Sequence, residues 1–352
     1  MIRSPLQPSG LEVQGIRTAL LREKKVAVVV PCYRVAGEIA DVVRGIGPEV
    51  SLIYCVDDAC PDRSGVIARE LATHDARVRV LAHTENKGVG AAVLTGYAQA
   101  IRDGAEIIVK LDGDGQMAPE DIGTLVTPIL RGDADYVKGN RFFNLDDLQS
   151  MPWARLVGNA GLSFLTKLSS GYWNLFDPAN GFTAIDARVA SCLPMEKLSR
   201  RYFFESDMLF RLNSLRAVTV EVPIKARYAG EHSSLSLTRT LFEFPFLHLR
   251  NFVKRLFYSY FLRDFNLASI NLVLGVLLLT FGIVFGINRW IRGYEMNLLA
   301  SPGTVMLAAL PVVLGWQSLM SFVNFDLTNI PHRPLQGNLP DVQEHPRQAD
   351  SD

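Results

Sequence analysis

Four short apolar runs, at residues 26–30, 51–56, 78–82 and 106–111, are separated by stretches of helical periodicity. This alternation predicts repeated strand–helix units around a mainly parallel sheet, because strands buried on both faces read as continuous apolar runs. Polar, turn-rich segments lie between the runs at residues 31–37, 57–65, 84–90 and 112–119. Open α/β sheets bind ligands beyond the carboxyl ends of their strands, so these segments are where a site is expected. From about residue 136 the pattern predicts helices over 153–168 and 204–215 and strands over 181–185 and 217–222. They read as the second half of one continuous α/β domain spanning 25–235.

Beyond that domain the pattern changes. Residues 236–265 mix Phe, Leu and Tyr with Arg250, Lys254, Arg255 and Arg263, as helices lying in a membrane interface do, although an ordinary amphipathic surface helix has the same composition. Two uncharged stretches follow, 21 residues at 267–287 and 22 residues at 304–325. At about 1.5 Å of rise per residue each spans the roughly 30 Å hydrocarbon core, which predicts a two-helix transmembrane hairpin over 266–327. Basic residues flank its outer ends (Arg250, Lys254, Arg255 and Arg263 before, Arg333 after), and only Arg289 and Arg292 lie between the spans. The positive-inside rule then puts both ends, and the α/β domain, on the cytoplasmic face of the inner membrane. Residues 1–24 are polar and mixed, without a signal-peptide pattern, and form an extension to which no role attaches. Residues 328–352, rich in Pro, Gln and Asp, are expected to be a disordered cytoplasmic tail.

Composition narrows the partners. The chain of 352 residues, 48% hydrophobic, accommodates one large domain and an appendage. Its 36 Lys and Arg balance 36 Asp and Glu, so no overall field gathers nucleic acid, and that partner class is set aside. Cys32, Cys55, Cys60 and Cys192 show no paired CxxC spacing and read as reduced thiols.

The chemistry concentrates in Lys110-Leu-Asp-Gly-Asp-Gly-Gln116, where an apolar strand delivers Asp112 and Asp114 into a glycine-rich turn. Two carboxylates at a strand end suit a hard divalent cation that keeps waters and bridges a ligand's phosphates, with Gln116 as a neutral oxygen donor; a solvated turn uses the same residues for local reasons. Three more segments accompany it: Val30-Pro-Cys-Tyr-Arg-Val-Ala-Gly-Glu38, Val56-Asp-Asp-Ala-Cys-Pro-Asp-Arg-Ser-Gly65 and Asn86-Lys-Gly-Val-Gly-Ala-Ala92. In this order and spacing, over residues 25–235, the four resemble the nucleotide-sugar-binding loops of the inverting glycosyltransferase family 2.

That resemblance implies a GT-A fold, a Rossmann-like, mainly parallel sheet flanked by helices, and a nucleotide-sugar donor such as a UDP- or GDP-sugar. It sets Pro31, Tyr33 and Glu38 against base and ribose, Asp57 on the base edge with Asp58 beside it, and Lys87 and Gly90 at the diphosphate. Asp112, Asp114 and Gln116 would hold Mg2+ or Mn2+, with Asp112 on the metal or the ribose. Lys138-Gly-Asn-Arg141 is similar to the family's Gly-Ser-Arg turn, with Asn140 in place of serine, and turns Arg141 toward phosphate. Asp177-Pro-Ala-Asn-Gly-Phe182 is similar to the loop that closes on the sugar. Structural readings stand beside these: sheet-edge packing for Tyr33, capping or turn bonding for Asp57 and Asp58, a surface position for Arg155.

The segment Val222-Pro-Ile-Lys-Ala-Arg-Tyr-Ala-Gly-Glu-His-Ser-Ser234 resembles the acceptor loop of polyprenyl-phosphate glycosyltransferases, the dolichyl-phosphate mannose synthases among them, with His232 interposed. The resemblance implies an undecaprenyl or dolichyl phosphate acceptor held by Arg227 and Ser233, with Lys225 and Arg155 assisting, and a homo-oligomer such as a tetramer. Catalysis would rest on Asp112, Asp114, Arg141 and Arg227, and the product would feed cell-envelope glycan or glycolipid synthesis. A phosphate acceptor already carries nucleophilic oxyanions, since its second pKa is about 6. A family 2 enzyme acting on a sugar hydroxyl needs a base instead, and Glu205 or Asp207 is the candidate. A third reading is a membrane-tethered nucleotide-sugar-binding subunit without catalysis.

Overall fold

The computed structural model describes residues 24–143, 153–225 and 237–340. They form two compact units, one of residues up to 251 together with those from 331 onward, the other of residues 252–330.

The first unit is built on a seven-stranded sheet: β1 Val26–Cys32, β2 Leu52–Asp57, β3 Val78–Ala82, β4 Ile107–Lys110, β5 Tyr136–Asn140, β6 Thr183–Asp186 and β7 Thr219–Pro223. Their order across the sheet is β3-β2-β1-β4-β6-β5-β7. Every residue of β1 is buried, as a valine-rich strand at the centre of a sheet covered on both faces must be. The covering helices are α1 Ile39–Gly45, α2 Ser64–His74, α3 Val89–Arg102, α4 Ile122–Leu130, α5 Trp153–Ser170, α6 Ala187–Ser191 and α7 Phe204–Leu215. The predicted strands and helices are all present, with ends moved by a few residues.

Register decides which loops meet. β1, β2, β3 and β4 run parallel, with Cys32 opposite Asp57 and Val29 opposite Lys110, so the loops after β1, β2 and β4 leave at one edge. β6 runs antiparallel to both its neighbours, and Thr183 lies opposite Lys110 on β4 and Lys138 on β5. The segment entering β6, residues 177–182, therefore arrives at the edge where β4 and β5 end. β5 and β7 are parallel, Asn140 opposite Pro223, so Lys225 follows at the same edge.

α8 Leu237–Phe257 leads from the first unit toward a π-helical turn, Tyr258–Arg263, and then α9 Leu267–Glu295 and α10 Pro302–Thr328. In the second unit α9 starts on an Asn266 cap whose side chain accepts from the Ala268 N–H, and α10 on Ser301 followed by Pro302. The two helices touch through glycine: a Cβ on Gly275 would lie 2.7 Å from Leu319 Cδ2 and 3.0 Å from the Gly315 carbonyl oxygen. Both are long and apolar enough to cross a membrane, and only 11% of each apolar window is buried. A soluble core helix buries its apolar face; these expose Leu277, Val284, Val313 and Trp316. Within this unit Arg255 pairs bidentately with Asp326 at 2.6 and 2.9 Å, and the Tyr260 hydroxyl donates to Asp326 at 2.6 Å.

The expectation of a disordered tail fails for residues 331–340, which fold onto the first unit. The Leu335 and Gln336 N–H groups both donate to the buried Asp135 carboxylate at 2.9 Å, as does Val218 N–H at 2.7 Å. The Gln336 amide donates to the Ile129 and Ala134 carbonyls at 3.2 and 2.7 Å. A buried carboxylate with one donor is costly, and the returning chain supplies two more.

Candidate active site

The acidic turn after β4 is organised from below. Lys110, with 2% side-chain exposure, places its ammonium 2.8 Å from Asp112 Oδ1 and 2.8 Å from Glu205 Oε1 on α7. It also donates to the Gly181 carbonyl at 3.2 Å. Burial disfavours its charge, but the two carboxylates outweigh that and hold the ammonium above its usual range. Asp114 Oδ1 accepts from the Gln116 N–H at 3.1 Å, tightening the turn. Gly181 packs closely on this pair: a Cβ there would lie 2.5 Å from both Asp112 Oδ2 and Lys110 Nζ and would have to displace them.

Among the described residues no group of three His, Cys, Asp or Glu side chains is arranged to hold a metal. The residues expected to hold a cation here, Asp112, Asp114 and Gln116, offer only oxygen donors. Such donors fit Mg2+ or Mn2+, which keep waters and take further oxygens from a ligand's phosphates.

The loops after β1 and β2 are joined by Asp62, which the sequence reading did not single out. It accepts from the Ala36 N–H at 3.2 Å, the Ser64 N–H at 3.1 Å and the Cys60 thiol at 2.6 Å. Burial alone would raise its pKa, and these bonds together bring it below the usual carboxylate value. Asp57 accepts from the Cys60 N–H at 3.0 Å and sits against Gly65. Pro31 is buried at the end of β1, Tyr33 is exposed, and Glu38 lies beside Gly115 of the acidic turn. The expected base-and-ribose residues and the acidic turn thus share one edge.

Asp58, expected beside Asp57 at the donor, turns inward and is 2% exposed. It accepts from the Lys87 N–H at 2.9 Å and the Gly88 N–H at 2.7 Å, and contacts His83 Nδ1 at 2.7 Å. Its geometry is that of a residue fixing the loop that carries Lys87. Gly88, at φ 96°, and Gly90 let this loop press on residues 199–200, where any Cβ would collide with backbone oxygens at 2.6 and 2.4 Å. The exposed Lys87, Arg200 and Arg201 are thereby gathered in one place. The two arginines lay outside any recognisable motif.

On the other flank Arg141 clamps Asp177 bidentately, at 2.8 and 3.0 Å. Glu221 on β7 accepts from the Phe176 and Asp177 N–H groups at 2.8 and 2.6 Å. Lys138, fully buried, donates to the Asn180 carbonyl at 2.6 Å, and burial pushes its amine down to about 8. Lys225 is exposed at the end of β7, its N–H bonded to Asp121 at 3.0 Å. Arg227 and Ser233 lie outside the described residues, and Arg155 falls in the first turn of α5 with its side chain outside them as well.

The sequence matches the model of Glycosyl transferase family 2 over residues 27–193. The UDP-N-acetylglucosamine–dolichyl-phosphate N-acetylglucosaminyltransferase of Methanococcus voltae is 31% identical over 241 residues, covering 65% of this chain and 95% of that one. The chain belongs to glycosyltransferase family 2. The polyprenol monophosphomannose synthase of Mycolicibacterium smegmatis is also similar to this glycosyltransferase, 30% identical over 206 residues that cover 57% of this chain and 77% of its own. The undecaprenyl-phosphate mannosyltransferase of Micrococcus luteus is 30% identical over 208 residues, covering 57% and 82%. The transferase has the GT-A fold. Among solved structures, glucosyl-3-phosphoglycerate synthase from Mycobacterium tuberculosis, crystallised with Mn2+, UDP and phosphoglyceric acid, superposes with a TM-score of 0.53 at 18% identity, over 72% of this chain and 84% of that one.

A glycosyltransferase acting on a hydroxyl needs a carboxylate free to take a proton. In this transferase Glu205 is bound to the Lys110 ammonium. Asp207, fully buried, accepts from the Ser199 N–H at 2.9 Å, the Asn251 amide at 3.0 Å and Arg211 at 3.3 Å. Both candidates for the base already have cationic or N–H partners.

Proposed function

We propose that this glycosyltransferase transfers a sugar, with inversion, from a UDP- or GDP-sugar onto the phosphate of a polyprenyl lipid, undecaprenyl or dolichyl phosphate, at the cytoplasmic surface of the membrane. The observation that carries this reading is the engagement of both base candidates, Glu205 by Lys110 and Asp207 by Ser199, Asn251 and Arg211. An acceptor that needs no deprotonation suits such a site, and a phosphate monoester is one. The names of the relatives, which act on dolichyl, polyprenol and undecaprenyl phosphates, support the same acceptor.

In the reaction an acceptor phosphate oxygen forms a bond to the anomeric carbon as the bond from that carbon to the diphosphate oxygen breaks. The nucleoside diphosphate leaves with the electron pair, so a phosphodiester-linked sugar results. A divalent cation held by Asp114, Gln116 and Asp112 would neutralise charge on the leaving diphosphate. Pro31, Tyr33, Glu38 and Asp57 hold base and ribose, Lys87 and Gly90 meet the diphosphate, and Asp58 keeps that loop in shape. Arg141 stabilises the developing charge from its clamp on Asp177. Arg227, with Lys225, Ser233 and Arg155, grips the acceptor phosphate, and Arg is suited to that by its planar fork.

The membrane reading has support in the course of the chain, which leaves the first unit at residue 251 and returns to it at 331. Two spans between those points bring both ends back to one side, and the basic residues flanking them favour the cytoplasm. A homo-oligomer belongs to the same proposal. Incubation of the purified protein with UDP-, GDP- and dTDP-sugars and undecaprenyl phosphate, with Mn2+ and mass analysis of the lipid, tests it. The expected result is a mass increase of one sugar residue from one donor class. Donor consumption with the lipid left unmodified by every donor would overturn the reading.

A further inference from the structure

Lys110 touches the acidic turn, α7 and the loop entering β6 at once, and the reaction described above gives it no part. Its ammonium is divided between Asp112 and Glu205, both at 2.8 Å. The ammonium is buried, and it donates to the Gly181 carbonyl at 3.2 Å. Asp112 therefore meets a cation with one oxygen already paired to a positive charge.

We infer that Lys110 and Glu205 are positioning residues that set how strongly Asp112 holds the divalent cation, weak enough that the ion is retained with the nucleoside diphosphate and not ahead of it. This rests on the reading that Asp112 and Asp114 are the cation's ligands. An ammonium beside a carboxylate lowers the attraction that carboxylate offers to a second cation, and Glu205 moderates this by drawing on the same ammonium. Two carboxylates fall short of the all-protein cage that binds a divalent ion alone, and the diphosphate oxygens complete it. The bond that the Lys110 ammonium donates to the Gly181 carbonyl ties the same side chain to the loop entering β6, so cation affinity and loop position are set together.

The inference predicts changes of opposite sign. In Glu205→Gln Asp112 is left as the ammonium's carboxylate partner, so Mn2+ binding weakens. In the double variant Lys110→Met with Glu205→Gln the nearer cation is gone together with its partner Glu205, and the partly exposed Asp112 is left to the metal, so Mn2+ binding tightens. The measurement is free Mn2+ by electron paramagnetic resonance, titrated into full-length protein with and without UDP or GDP. Expected are tighter binding with the nucleotide in the wild type, a weakening of about fivefold in the single variant and a tightening of about the same size in the double variant. A role confined to the fold would not reverse sign between the two, and thermal melting reports each variant's integrity separately. Asp114→Asn serves as the control: if it leaves Mn2+ binding intact, the ligand reading itself is wrong. If it abolishes binding while both other variants match the wild type, or both weaken alike, the ligand reading stands and the role of Lys110 and Glu205 is refuted.

Discussion

Asp207 and His248 show how residues near the site are committed to structure. Asp207 takes bonds from a backbone N–H, an amide and a guanidinium, so Asp207→Asn should lower stability by about 2 kcal/mol. Turnover onto polyprenyl phosphate, corrected for folded fraction, should stay within about threefold, because the residue is not a base in this account. A loss of several hundredfold at unchanged melting temperature would restore it to that role. His248, 2% exposed, bonds Ser169 through Nδ1 at 2.8 Å and packs edge-on against Phe203. Burial pushes its pKa down from 6.5 to about 4, so the ring is neutral in the folded protein. The unfolded chain binds the proton first on acidification. The stability is therefore complete above about pH 6.5 and lost as pH falls toward 4, by about 3 kcal/mol. Melting curves across that range should show the slope, and His248→Gln should flatten it.

At the scale of elements, the strand register does the assembling. The apolar runs 26–30, 51–56, 78–82 and 106–111 announced β1 to β4, because a strand buried on both faces leaves a continuous signature in sequence. Asp57 and Asp112 stand out as candidates for the same reason, being the first polar residues after such runs, and Asp114 follows Asp112 in the same turn. What the sequence hid was pairing over distance. Lys110 and Glu205 are 95 positions apart, and nothing local to either predicts a shared ion pair. Asp58 looked like a ligand residue until its inward turn toward Lys87 and Gly88 was seen, since an aspartate beside an aspartate reads alike from sequence whichever way it faces. Residues 331–340 carry a composition typical of disorder, yet two backbone N–H groups and the Gln336 amide fix them to Asp135, Ile129 and Ala134. Removing residues 331–352 should leave Asp135 with Val218 N–H as its remaining backbone donor and destabilise the first unit by about 2–4 kcal/mol, read from thermal melting in detergent.

For the whole molecule, a nucleotide-handling sheet edge and two exposed apolar helices on one chain make sense together if the acceptor is a lipid whose head group alone reaches water. The apolar helices are long enough to cross a bilayer, and the engaged carboxylates favour an acceptor that needs no deprotonation. Together they put the central claim on the nucleophile. Its most direct test sets polyprenyl phosphate against the corresponding polyprenol, with the same purified enzyme, donor and Mn2+, and follows glycosylated lipid by mass. The account predicts a sugar phosphodiester from the phosphate and no glycoside from the alcohol. Comparable glycosylation of the alcohol, or of a sugar hydroxyl while the lipid phosphate stays untouched, would contradict it.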